Sequence, residues 1–135
     1  MIGQKIFSGN FNLTQISFPI KCMCPKSVLQ TIPTVQSINS FYLNYAASVD
    51  DPVERLKIFM TTTIGFLFEG HIFEKPLNPV LGETYQAKCV DGAKIYVEQT
   101  SHHPPTSHYY IEGPNSRYIF SGWSECIVKF GMTQI

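Results

Sequence analysis

Apolar residues follow two different periods along the 135-residue chain, and the change between them divides it. In the first half the spacing is helical. Ile38, Phe41, Tyr42 and Tyr45 stand at i, i+3, i+4 and i+7, which predicts a helix over Val35–Val49 with that stripe as a packing face. A second helix begins at Asp51-Pro52, where the aspartate suits the N-cap, the proline the first helical position, and Glu54 the acidic position of a capping box. Its apolar face runs Val53, Leu56, Met60, Ile64 and Leu67, widened by Phe59 and Phe68, and Gly70 is placed to end it. Thr61, Thr62, Thr63 and Gly65 are weak helix formers, so tertiary packing has to hold this helix. A shorter helical turn is expected over Pro25–Ile32, stopped by Pro33. Residues 1–20 show no period.

From Leu81 onward the pattern becomes short runs of β-branched and aromatic residues separated by turn signals. Strands are expected over Leu81–Cys89, Lys94–Gln99, Thr106–Ile111 and Tyr118–Phe130, with turns at Asp91-Gly92 and Gly113-Pro114-Asn115. Short connections argue for an antiparallel meander, so the fold class is α+β, helices first and sheet second. The last strand is apolar on both faces: Tyr118, Phe120, Cys126, Val128 and Phe130 on one, Ile119, Trp123 and Ile127 on the other. Between helices and sheet, Pro76 and Pro79 make Glu74–Pro79 a stiff, non-helical connection.

Composition removes several function classes. Formal net charge is zero and only 15% of residues are charged, so no basic field exists to hold nucleic acid by its phosphates. A hydrophobic fraction of 44% excludes a disordered chain. No run reaches the ~18 apolar residues of a membrane helix, and no signal-peptide pattern opens the sequence. Cys22, Cys24, Cys89 and Cys126 form no CxxC or zinc spacing and read as reduced thiols of a cytosolic protein. One domain without repeats is expected.

The distinctive chemistry lies in Glu98-Gln99-Thr100-Ser101-His102-His103-Pro104-Pro105. The prolines fix their own φ, and Pro104 biases His103 toward extended backbone, so both imidazoles are presented from a stiff strand-to-strand corner. Neutral imidazoles offer two N–H donors, and a phosphate would favour the protonated forms. A Pro-rich turn with merely solvated histidines is the plainer alternative. Upstream, Lys75 beside Pro76 presents an ammonium and Asn78 an amide, with backbone N–H groups nearby able to receive phosphate oxygens. A lone surface lysine is otherwise an unremarkable solvated group.

Glu98–Pro105, EQTSHHPP, resembles the signature of the oxysterol-binding protein family, whose usual form carries Val where this chain has Thr100. Glu74–Tyr85, EKPLNPVLGETY, resembles that family's second hallmark and lies at the expected short distance upstream. The resemblance implies a cytosolic, peripherally membrane-associated lipid-transfer module and not an enzyme. It binds a sterol or other lipid, and phosphatidylinositol 4-phosphate, in a hydrophobic tunnel with a basic mouth. It assigns the headgroup to Lys75, Leu77, Asn78, His102 and His103. Pro76, Pro79, Gly82, Glu83, Glu98, Gln99, Ser101, Pro104 and Pro105 support the motifs, and no catalytic residue, metal or cofactor is implied.

By the same resemblance, residues 1–135 are the N-terminal part of the family's ligand-binding domain. Residues 1–17 then fit part of a lid, or else a frayed terminus; 18–73 are the helical part, and 74–135 the first strands of an incomplete lipid-binding β-barrel. Four strands cannot close a barrel wide enough for a lipid, and the last is left as an open edge. A further lysine, and a glutamate and arginine near the end of the family's domain, have no counterpart here. Two alternatives follow. One is an interaction or regulatory fragment that pairs its open edge with another chain. The other is a metal-dependent phosphoesterase drawn from His102, His103 and His108 with Glu98 or Glu125, in which adjacent side chains of an extended strand point apart and share a metal poorly.

Overall fold

A computed structural model describes residues 19–69, 75–125 and 127. After a short 3₁₀ turn at Ile20–Cys22, strand β1 (Met23–Ser27) leads into helix α1 (Val28–Ala46), and helix α2 (Pro52–Glu69) follows. Strand β2 (Lys75–Leu77) pairs in parallel with β1. The chain continues as β3 (Thr84–Lys88), β4 (Lys94–His102), β5 (Pro105–Glu112) and β6 (Ile119–Glu125). These four form one antiparallel sheet in sequence order, β3-β4-β5-β6. The α+β meander expected from the sequence is therefore present, as an open sheet among the described residues. The expected lid, residues 1–17, lies outside them, as do Gly70 and the strand's continuation toward Phe130.

Local signals explain most boundaries. Ser27 precedes α1, and its N–H donates to the Gln30 side chain (3.0 Å), a capping contact. Asp51 caps α2 as expected, its carboxylate accepting from the Val53 N–H at 2.7 Å. Arg55 reaches back to the Val49 carbonyl (2.8 Å), closing the link between the helices. Gly92 turns the β3–β4 hairpin at φ 93°, a left-handed conformation that glycine adopts without penalty.

Three expectations fail. Met23–Ser27, with Pro25 in it, is a strand rather than the start of a helical turn; proline fits there because the strand lies at a sheet edge. Pro33 does not stop the helix but lies buried inside α1, which continues through it to Ala46. It forfeits one helical hydrogen bond, yet sits one turn from Leu29 on the buried side, so packing outweighs the local signal. Most consequentially, Ile38, Phe41, Tyr42 and Tyr45 are exposed rather than packed. The buried side of α1 is instead Gln36, Asn39, Ser40, Leu43 and Ala46, in which the polar groups find local partners; Asn39 donates to the Gln36 side-chain amide oxygen at 3.1 Å and Ser40 to the Ser37 carbonyl at 2.8 Å. On α2, Val53, Leu56, Met60 and Ile64 are likewise exposed, while Thr62 is buried.

The core lies between α1 and one face of the sheet. Leu29, Ala93, Ile95, Val97, Ile111 and Cys89 form it, with Tyr118 and Phe120 packed against it. Tyr118 wedges into this contact beside Gly113, where no side chain would fit, and donates to the Ser40 carbonyl (3.3 Å). Burial pushes its phenol far above the usual range, helped by the negative charge of Asp91. Phe59 meets Phe120 edge to face at 6.1 Å, tying α2 to β6.

Candidate functional site

The histidine corner is a tight hairpin. β4 runs past its expected end at Gln99 to His102, β5 begins at Pro105, and His103 and Pro104, joined by a cis peptide bond, make the turn. His102 lies opposite Pro105 in the register. Both imidazoles are exposed, with ring centroids 4.6 Å apart and rings edge to face.

A bulge between Gln99 and Ser101 re-aims the strand just before the histidines. The buried Gln99 side chain holds it. Its amide donates to the Ser101 carbonyl at 2.7 Å, and its oxygen accepts from the Ser107 hydroxyl across the strand. The Gln99 backbone reaches the second motif: its N–H donates to the Glu83 carbonyl and its carbonyl accepts from the Gly82 N–H, both at 2.9 Å. Val80–Glu83 is itself a tight turn, with Gly82 at φ 78° and the Glu83 carboxylate accepting from the Val80 N–H at 3.0 Å. The two sequence motifs are thus hydrogen-bonded into one structure.

Between them lies a cavity of about 240 Å³. Asn78 and Pro79 line it from one motif, Gln99, His102, His103 and Pro105 from the other, with Val28, Ser107 and Ser124 completing the wall. Two exposed imidazoles and the Asn78 carboxamide bring donors to a small space whose floor, Gln99 and Ser107, is already hydrogen-bonded, an arrangement suited to an anionic group with several oxygens. Lys75, Pro76 and Leu77 form β2 immediately before Asn78; Lys75 is exposed opposite Met23, and Leu77 half-buried opposite Ser27. They flank the cavity without lining it. Pro104 is exposed at the turn, and Ser101, half-buried, lies opposite Thr106.

Glu98 belongs elsewhere. It lies on the other face of the sheet, in a cleft of about 550 Å³ with Tyr96, Tyr110, His108 and Trp123. His108 stacks on Trp123 at 6.3 Å between centroids, and its Nδ1 is 2.7 Å from the Thr100 hydroxyl. The metal centre drawn from three histidines does not assemble: among the described residues no three His, Cys, Asp or Glu side chains converge to hold an ion. Nor, among the described residues, is any helix long and apolar enough to cross a membrane.

Ser107 and Ser124 were not singled out in the sequence. The available signal was parity, since Gln99 and Ser107 interrupt inward-facing rows otherwise made of Ile95, Val97, Tyr109 and Ile111. Polar residues in such a row mark where the sheet stops packing and starts to line a cavity.

Comparison with known proteins agrees with this geometry. The chain is 32% identical over 126 residues to oxysterol-binding protein 9 of Dictyostelium discoideum, covering 91% of this chain and 29% of that protein. It is 37% identical over 114 residues to human oxysterol-binding protein-related protein 1, covering 82% and 12% of the two. Among solved structures, the Osh1 ORD domain in complex with ergosterol superposes with a TM-score of 0.71 at 31% identity, over 83% of this chain and 27% of that one. The Osh3 ORD of Saccharomyces cerevisiae in complex with PI(4)P shares the fold, with a TM-score of 0.66 at 24% identity, over 84% and 31%. The chain therefore spans less than a third of the length of each of these relatives. The sequence profile of the family described as oxysterol-binding protein, a family of lipid-binding proteins and not of enzymes, matches residues 6–135, and the chain belongs to that family.

Proposed function

We propose that this chain binds lipid, and that the corner built by its two motifs receives the headgroup of phosphatidylinositol 4-phosphate. The observation that carries this reading is the shared cavity, with Asn78 and Pro79 from one motif facing His102 and His103 from the other. His102 and His103 contact phosphate oxygens, Lys75 adds an ammonium at the rim, and Asn78 with the backbone around Leu77 completes the grip. Apolar tails, of this lipid or of a sterol such as those in the Osh1 complexes, take the tunnel of a complete barrel, of which residues 74–135 supply the first strands and residues 1–17 part of the lid. Such a protein works in the cytosol, touching membranes transiently and exchanging lipids between them.

A second reading has its own observation. The exposed apolar stripes of α1 and α2, together with the outer edge of β6, favour a piece that docks on another polypeptide without carrying lipid alone.

Extraction of labelled phosphatidylinositol 4-phosphate from liposomes separates the two. Uptake by the chain, lost in His102→Ala/His103→Ala, supports the first. A folded chain that takes up none supports the second.

A further inference from the structure

The turn that precedes β3 is apolar at its tip. Val80 and Leu81 are each 65% exposed, adjacent in sequence, and free of any role in the core. The turn is nonetheless rigid: Glu83 closes it on the Val80 N–H, and Gly82 and Glu83 are hydrogen-bonded to Gln99, three residues before His102. Val80 directly follows Pro79, a wall of the histidine cavity. Pro104 and Pro105, both exposed, follow the imidazoles in the hairpin turn, with Pro105 opposite His102. One end of the sheet thus carries two donors for an anion and four exposed apolar side chains, with Glu125, opposite Thr106 on β6, as an exposed acid at the same end. The opposite end also exposes Val90, but among Lys88, Asp91, Lys94 and Glu112.

We infer that the Val80–Leu81 turn inserts into the bilayer and seats the histidine corner at the headgroup layer of a phosphoinositide-bearing membrane. This rests on the headgroup reading above, and it names the surface from which the ligand is taken. The chemistry selects a bilayer over a protein partner. A phosphate anchored by acyl chains is an anion with an apolar phase one headgroup away, and this end of the sheet repeats that order of groups. The Glu83 carboxylate, the one acid in the turn, is tied back to the Val80 N–H and so does not face the lipid as a free charge. Burying the Val80 and Leu81 side chains in acyl chains is favourable, and a carboxylate in their place opposes it.

The test uses the full chain with Trp123→Phe, so that Leu81→Trp is the sole indole. Its emission is recorded with no vesicles, with phosphatidylcholine vesicles, and with the same vesicles containing phosphatidylinositol 4-phosphate. Insertion predicts a blue shift on vesicle addition, largest with the phosphoinositide, and quenching by brominated acyl chains. Leu81→Asp is expected to lose about tenfold or more in vesicle association while binding a water-soluble, short-chain phosphatidylinositol 4-phosphate as the unmodified chain does. Emission unchanged by either vesicle, or already blue-shifted before they are added, overturns the inference, as does Leu81→Asp binding vesicles undiminished. The short-chain lipid keeps the two readings apart: if the unmodified chain fails to bind it, the headgroup reading falls whatever the indole reports.

Discussion

The histidine end of the sheet and the paired helices solve opposite problems. At the sheet end, polar groups are concentrated and yet held: Gln99, Ser107, Glu83 and Gly82 all have partners, and they fix a donor-lined cavity. In the helices the arrangement is inverted. Gln36, Asn39, Ser40 and Thr62 are buried, whereas Phe41, Tyr45, Leu56 and Met60 are exposed. Stripes of large apolar side chains on that scale normally mark a surface made to be covered. The sheet end satisfies its polar groups within this chain, whereas the helices leave an apolar face uncovered among the described residues. The helices carry a second apolar face, consistent with a chain spanning under a third of its relatives' length.

Substitutions can break this comparison. Ile95 is fully buried at the centre of the core, so Ile95→Ala is expected to cost ~2–5 kcal/mol in urea denaturation. Gly113→Ala forces a methyl group against the Tyr118 ring, and a loss of ~1–3 kcal/mol is expected as the wedge shifts. Lys94→Ala removes an exposed pair with Glu112, 3.6 Å apart, and should cost no more than ~1 kcal/mol. Smallest of all, Leu56→Ser with Met60→Ser should stay within ~0.5 kcal/mol of the unmodified chain while reducing binding of a hydrophobic dye. If that double variant destabilises as Ile95→Ala does, the helical face is packed after all. Thiol chemistry sharpens the same contrast. Burial raises the Cys89 thiol above its ordinary range, so mapped alkylation near pH 8 should label exposed Cys22 well before Cys89. Equal rates would mean that the core opens readily.

Much of the sheet end was legible because its signals are local. Gly92 and Gly113 mark turns, alternation marks strands, and two uncommon motifs mark the corner. What alternation missed was the bulge at Gln99 and the extension of β4 to His102, both set by the Gln99 side chain bonding across to Ser107. The helices were legible as helices, but their orientation was not. A stripe at i, i+3, i+4 and i+7 reports that one face is apolar, not what that face meets; Ile38, Phe41, Tyr42 and Tyr45 meet solvent. Pro33 shows the same limit of local rules, since its burial beside Leu29 is a tertiary fact. The parallel pairing of β1 with β2 joins residues 23–27 to residues 75–77, too distant for any periodicity to report.

Lipid recognition at this corner depends on a phosphate being gripped at His102 and His103. Isothermal titration of the chain with short-chain phosphatidylinositol 4-phosphate, and with the same lipid lacking the 4-phosphate, reads that grip. A preference for the phosphorylated lipid is expected, and its loss in His102→Ala/His103→Ala. Equal affinity for the two lipids, or a preference that the double variant keeps, would contradict it.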